Sequence, residues 1–144
     1  MSTHPDISAC AHCLCDATRK AARAISAVYD RNLAPHGVRI TQFTILANLE
    51  LRGATSLGEL AKILQLDRTT LTRNLEPLEA KTWVRSGPAP RDSRSRIVSV
   101  TNEGRAAVFA AFPAWREAQE RVAALLSLGE RALLKRLAHL RPPQ

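Results

Sequence analysis

Residues 56–80 constrain this chain more than any other stretch. Ser56 and Glu59 stand three apart ahead of an apolar run, the spacing at which a hydroxyl and a carboxylate cap a helix reciprocally. Leu57, Leu60, Ala61 and Leu64 then recur at helical spacing and share one face of a short helix. Gln65 and Leu66 interrupt the period, and Asp67 is a natural N-cap for a further helix over about 68–80. Leu71, Leu75 and Leu78 line its buried side, which turns Arg68, Thr69, Thr72 and Arg73 outward near its start. The first helix braces the second through Leu60, Leu64, Leu66 and Leu71. Any fold built on this pair shows its surroundings a polar, arginine-bearing helix start.

Beyond residue 80 the period changes from helical to alternating. Trp83-Val84-Arg85 and Ile97-Val98-Ser99-Val100 read as short β-strands. Between them, Ser86 to Arg96 is dense in turn formers and arginine, which predicts a hairpin with a long, flexible, basic tip.

Helical patterns flank this unit. From about Ala9 to Leu33 the chain is Ala-rich without Pro or Gly, and Ile25, Val28, Tyr29 and Leu33 recur at helical spacing. One long helix is expected there, stopped by Pro35 and Gly37. Thr41 is expected to cap the next, over about 42–52, with Phe43, Leu46 and Leu49 inward and Gly53 at its end. After the hairpin, Thr101 caps a fifth helix with Val108, Phe109, Phe112, Trp115, Gln119, Val122 and Leu126 close to one face. Pro113 is expected to kink or split it. Ser127 and Glu130 form a second reciprocal cap before a last helix with Leu133, Leu134, Leu137 and Leu140 as its apolar stripe, and Pro142 and Pro143 close the chain.

The fold class is therefore mainly α with a small β-hairpin. Its expected divisions are a flexible tail at 1–8, a first helix at 9–35, the helix pair with its hairpin at 41–101, and terminal helices at 102–141. The outer helices carry more apolar surface than the 41–101 unit covers. Ile25, Val28, Leu133, Leu134, Leu137 and Leu140 are accordingly expected to pack across a two-fold axis in a homodimer.

At 144 residues and 45% hydrophobic content the chain is one domain with a sizeable core, so global disorder is excluded. No apolar run nears the roughly 18–20 residues of a membrane span, and the start MSTHPDISAC lacks the apolar region of a secretory signal. Cys10, Cys13 and Cys15, an odd number with no partner elsewhere, argue for a reducing, cytoplasmic setting. Basic residues number 21 against 13 acidic, giving +8 and a pI near 10.4, and only positions 20, 62, 81 and 135 are lysine. Arginine's planar fork suits bidentate recognition of phosphate and guanine.

Placement makes double-stranded DNA the expected partner. Arg68 and Arg73 can donate in pairs to guanine, while Thr69, Thr70 and Thr72 can bond phosphate or meet a thymine methyl in the major groove. Arg91, Arg94 and Arg96 on the hairpin suit the minor groove or the flanking backbone, with Asp92 among them to fix the direction of a neighbouring arginine. A solvated basic surface is the plain alternative for these arginines, and a protein-interaction module is an alternative of another class. No nucleophile elbow, phosphate loop, zinc-protease pattern or dinucleotide fingerprint occurs, so an enzyme is not expected.

The stretch from Leu57 to Gly104 resembles the MarR family of bacterial transcriptional regulators. The matching pieces are SLGELAKILQLDRTTLTRNLEPLE, the segment RDSRSRIVSVT, and the NEG that opens the next helix. This resemblance implies a winged helix-turn-helix with dimerisation helices at both ends, and a wing in which Arg94, beside Asp92, reaches DNA. It further implies a regulator, expected to be a repressor, that reads a pseudo-palindromic site and is released by a small effector. Two departures stand out: Thr82 occupies a position where the family often has Gly, and Pro77 lies inside the second helix of the pair.

The trigger is open at this level. C-x-x-C-x-C beside His12 reads either as three ordinary reduced thiols or as a sensor of oxidant or soft metal. On a regular helix Cys10 and Cys13 lie about 60° apart and Cys15 about 140° from Cys10, so chelation by all three needs an unwound N-terminus or a second subunit's ligands. No motif requires a cofactor. For a small effector, Trp83, Trp115, Phe109 and Phe112 are candidates to line an aromatic pocket, and His36 and Arg39 to anchor an acidic group. Their ordinary readings are core aromatics and a solvated loop.

Overall fold

The computed structural model describes residues 5–141; positions 1–4 of the expected tail, with Pro142 and Pro143, lie outside the described residues. In chain order the elements are α1 (Leu14–Leu33), α2 (Ile40–Arg52), β1 (Thr55–Ser56), α3 (Leu57–Leu64), α4 (Arg68–Ala80), β2 (Val84–Ala89), β3 (Asp92–Val100), α5 (Asn102–Leu125) and α6 (Leu128–Leu137). The three strands form an antiparallel sheet in the order β1-β3-β2.

One core ties these elements together. Leu33 of α1, Phe43, Ile45, Leu46 and Leu49 of α2, Leu60 of α3, Leu71, Leu75 and Leu78 of α4, and Val84 and Val98 of the sheet are all buried. Burying a Leu or Val side chain is worth about 1.5–3 kcal/mol, so this cluster carries the unit's stability. Leu64 at the end of α3 and Leu66 in the turn that follows pack against it, as their spacing predicts. The frame helices close over it, with Tyr29 of α1 donating its hydroxyl to Gln119 of α5 and Asn32 donating to the Ala114 carbonyl at 3.3 Å.

The amino-terminal segment departs from the single helix expected from Ala9. Ser8–His12 forms a 3-10 turn, Cys13 is extended (ψ 116°), and α1 begins only at Leu14. Asp6 accepts from the Ser8 amide at 2.9 Å, a local bond that competes with helix formation. The stretch from 5 to 24 is exposed throughout, so no packing rewards extending the helix.

Helix α2 begins one turn-edge earlier than Thr41 suggests. Asp30 of α1 accepts from the Ile40 amide at 2.7 Å and Gln42 from the Arg39 amide at 3.1 Å, so the start is capped from a distant helix. The expected split at Pro113 does not occur, for α5 is continuous from Asn102 to Leu125. Pro113 is solvent-exposed, so the carbonyl one turn back that lacks its amide partner faces water rather than the core. The buried side of α5 is Gly104, Val108, Ala111, Ala118 and Val122, which leaves Phe109 and Phe112 at the surface.

The hairpin is more regular than its composition suggests. Pairing runs from Val84↔Val100 out to Pro88↔Arg96 and resumes at Ala89↔Asp92, so residues 93–95 bulge from β3 and Pro90-Arg91 make the turn. The long flexible loop expected over 86–96 is thus a β-ribbon. Proline is compatible with β2 because that strand is an edge of the sheet.

Candidate nucleic-acid interface

Helix α3 ends at Gln65, whose backbone is left-handed (φ 52°), and Leu66 donates back to the Ala61 carbonyl at 3.0 Å. Asp67 then starts α4: its carboxylate accepts from the Thr70 amide at 2.8 Å and the Thr70 hydroxyl at 2.7 Å. Those two bonds, the side-chain one foremost, hold the Asp67 carboxyl below its ordinary value of 3.8. Ser56 caps α3 in the same manner, accepting from the Glu59 amide at 3.1 Å.

This capping sorts the threonines. Thr70 gives its proton to Asp67, and Thr72 gives its own to the Arg68 carbonyl at 2.8 Å, so both hydroxyls retain acceptor capacity only. Thr69 makes no side-chain hydrogen bond among the described residues. Arg68, Thr69, Thr72, Arg73 and Glu76 border one open depression, the face that helical spacing places opposite Leu71, Leu75 and Leu78. Neither Arg68 nor Arg73 has a carboxylate partner among the described residues.

The wing continues that face. Thr72 also borders a small crevice shared with Leu57, Leu75 and Glu79 and with Ser86 and Arg96 of the wing, so the exposed side of α4 runs into the hairpin. Arg91 lies in the turn and Arg94 in the bulge, both exposed and without an ion pair among the described residues. Asp92 does orient its neighbour, through the main chain: its Oδ1 accepts from the Arg94 amide at 3.0 Å. Arg96 is the last regularly paired residue before the bulge, its Nη2 3.8 Å from Glu79. Glu79 and Ser86 were not legible as interface residues, because an acid at a helix end and a serine in a turn-rich stretch read as solvated.

The joint between α4, the wing and α5 is tightly drawn. Thr82 adopts φ 59°, the left-handed region that a β-branched residue resists, and its carbonyl accepts the Thr101 hydroxyl at 2.6 Å. That same hydroxyl accepts from the Gly104 amide at 3.0 Å and so caps α5. Pro77 lies within α4 without interrupting it.

The remaining candidates fall elsewhere. Phe43, Ala47, Leu51, Phe109, Phe112 and Trp115 line a cavity of about 470 Å³ between α2 and α5, with Glu50 at its edge. Phe112 stacks on Trp115 at 5.6 Å and Trp115 on Phe43 at 6.0 Å. Trp83 does not line this cavity; it lies beneath Lys81, whose Nζ is 4.6 Å from the ring. His36 and Arg39 are outside it too, with Arg39 3.6 Å from Asp30. Ile25 and Val28 are half-buried on α1, whereas Leu133, Leu134, Leu137 and Leu140 are 42%, 39%, 41% and 70% exposed. Cys10, Cys13 and Cys15 are free and exposed, and no group of three metal-ligating side chains occurs among the described residues. No helix of the described residues is long and apolar enough to cross a membrane.

A helix-turn-helix carrying a basic β-ribbon, held in a frame of longer helices, defines a winged-helix protein of the transcription-regulator class. The chain belongs to the MarR family, whose profile matches residues 38–95. It is 31% identical over 116 residues to the HTH-type transcriptional repressor NicR of Pseudomonas putida, covering 81% of this chain and 73% of that protein. Its structure resembles the transcriptional regulator MosR of M. tuberculosis in complex with DNA, with a TM-score of 0.76 and 40% identity over 86% of this chain and 89% of that one. The match to the multiple antibiotic resistance protein MarR of Salmonella typhimurium is 36% identical over 74 residues and spans about half (51%) of each chain. NicR is named as a transcriptional repressor and MosR as a transcriptional regulator.

Proposed function

We infer that this chain is a cytoplasmic, homodimeric repressor that binds a pseudo-palindromic site in double-stranded DNA and leaves it when a small effector binds. One observation carries the reading: Arg68 and Arg73 of α4, without a carboxylate partner among the described residues, share a continuous surface with the wing. In this arrangement α4 enters the major groove, where the two arginines read guanine and Thr69 meets backbone or a thymine methyl. Arg91 and Arg94 follow the flanking minor groove or phosphates. Dimerisation is supported by α6, a ten-residue helix with four leucines and no buried residue of its own. A second copy covering that face sets two reading helices about one DNA turn apart.

The effector is assigned by chemistry to the cavity between α2 and α5. Its walls are aromatic and aliphatic, so a flat apolar molecule fits, and occupancy there bears on α2 and α5, which carry the reading unit on the dimer frame. An effector acts only through unequal affinity for the DNA-competent and incompetent geometries.

Selection of random duplexes with the purified protein tests the reading. An inverted repeat should emerge, and Arg68→Ala with Arg73→Ala should abolish its enrichment. Indifference between selected and random duplex overturns it in favour of a protein-docking winged helix.

A second reading of the trigger is supported by the unwound segment at Cys13, which leaves all three thiols accessible to oxidant. It predicts release from DNA on peroxide treatment, restored by dithiothreitol and absent when the three cysteines are Ser. Among the described residues no three metal-ligating side chains gather, which favours oxidation over metal as that trigger.

A further inference from the structure

We propose that Glu79 is a positioning residue that locks the wing to the reading helix, and that Arg96 is the strut of this lock rather than a phosphate ligand. The inference rests on the DNA-binding reading above and adds to it a division of labour among the wing arginines.

Glu79 is the penultimate residue of α4 and is held at two levels. Its main-chain carbonyl accepts from the Thr82 amide at 2.9 Å, which pins the reversal into the wing. Its carboxylate faces both strands: Oε1 accepts the Ser86 hydroxyl of β2 and lies 3.8 Å from Nη2 of Arg96 on β3. One carboxylate oxygen therefore gathers a residue from each strand of the ribbon. The contact falls partway along the ribbon, between the pairs Ser86↔Val98 and Pro88↔Arg96, and Arg96 is the last regularly paired residue before the bulge that carries Arg94.

That position lets a weak interaction bear on the tip of the wing. Side-chain exposures of 61% for Arg96 and 37% for Glu79 mean the pair adds little to global stability. Arg96, however, leads directly into the bulge with Arg94 and the turn with Arg91, so a shift at Arg96 is passed on to both. Among the described residues Arg96 is the one wing arginine with a carboxylate partner, and Arg85, Arg91 and Arg94 have none. Replacing the carboxylate by an amide keeps an acceptor for Ser86 but removes the charge facing Arg96.

The test uses the full-length dimer and a fluorescent duplex that the wild-type protein has enriched from random DNA, with anisotropy read between about 50 and 200 mM KCl. Arg94→Ala should reduce the slope of log affinity against log salt by about 0.9, the loss of one phosphate contact. Glu79→Gln and Arg96→Ala should each weaken binding about five- to tenfold at every salt concentration with the slope unchanged, a size typical of coupling between contacting groups. The double variant should be no weaker than either single one, and the swapped pair, Glu79→Arg with Arg96→Glu, should recover most of the affinity. Removing the flanking base pairs should erase the difference between Glu79→Gln and wild type, which general destabilisation does not do. An Arg96→Ala slope that falls as Arg94→Ala does, or additive losses in the double variant, overturns the strut. If the wild-type protein enriches no duplex at all, the DNA-binding reading itself fails and takes the lock with it.

Discussion

Gly104 is where the wing's return strand meets α5, and its replacement by alanine measures how tightly that joint is drawn. A methyl carbon built there lies 2.0 Å from the Trp83 carbonyl oxygen, 2.8 Å from its carbonyl carbon and 2.9 Å from Cγ2 of Val100. Carbon–oxygen contacts settle near 3.3 Å, so the backbone has to part by more than about 1 Å. The same carbonyl accepts from the Thr101 amide at 3.0 Å, and the displacement loosens that bond. Overpacking costs about 1–3 kcal/mol and a buried group left short of its partner about 1–3 kcal/mol, against which alanine's better helix propensity returns about 1 kcal/mol. The expected loss is about 3 kcal/mol of unfolding free energy. Gly58 is the internal control, since a methyl there has nothing within 4 Å and Gly58→Ala should be neutral or stabilising by up to about 1 kcal/mol. Urea unfolding at one fixed protomer concentration reads both, because association makes the midpoint concentration-dependent. A Gly104→Ala variant within about 0.5 kcal/mol of wild type, or equal shifts for the two glycines, refutes the close approach.

At Thr82, the left-handed backbone (φ 59°) costs an L-residue about 1–2 kcal/mol, so Thr82→Gly should be more stable than Thr82→Ala by about 1 kcal/mol in thermal unfolding; equal stabilities would refute the strain. Folding lowers the Asp67 pKa, so the cap's contribution is complete above the unfolded value of about 3.9 and disappears as pH falls through the lower folded value. Acid titration of helicity should therefore show a loss below about pH 4 that Asp67→Asn diminishes, and an identical acid limb in the variant would remove this cap from the account. Leu134→Asp with Leu137→Asp should halve the mass found by sedimentation and abolish binding to the selected duplex, and a variant that stays dimeric would remove α6 from the subunit contact.

Local chemistry made most of the reading unit legible. The Ser56–Glu59 and Asp67–Thr70 caps and the leucine stripe of α4 are contacts within one turn, and such contacts leave a spacing in the chain. Thr101 and the Ser127–Glu130 pair were legible for the same reason. Thr82 stood out through the family resemblance, which often places Gly there, and its backbone is indeed left-handed. What misled was local pattern without its tertiary context. Alanine content suggested a helix through Cys10 that no packing supports, and Thr41 resembled a cap that Asp30 supplies from another helix. Pro113 looked like a break, yet it lies on the exposed side of α5, where the carbonyl left without an amide partner faces water.

By itself, then, the amino-acid order determined that there would be two short capped helices, a basic hairpin and amphipathic flanks, because capping and periodicity act over a few residues. It also determined which arginines stand opposite the leucine stripe. Which wing arginine is free and which is tethered was decided only in three dimensions, since Glu79 meets Arg96 after the ribbon folds back on α4. The apolar cavity between α2 and α5 is likewise a product of packing, for its walls come from segments more than fifty residues apart whose apposition no local spacing encodes.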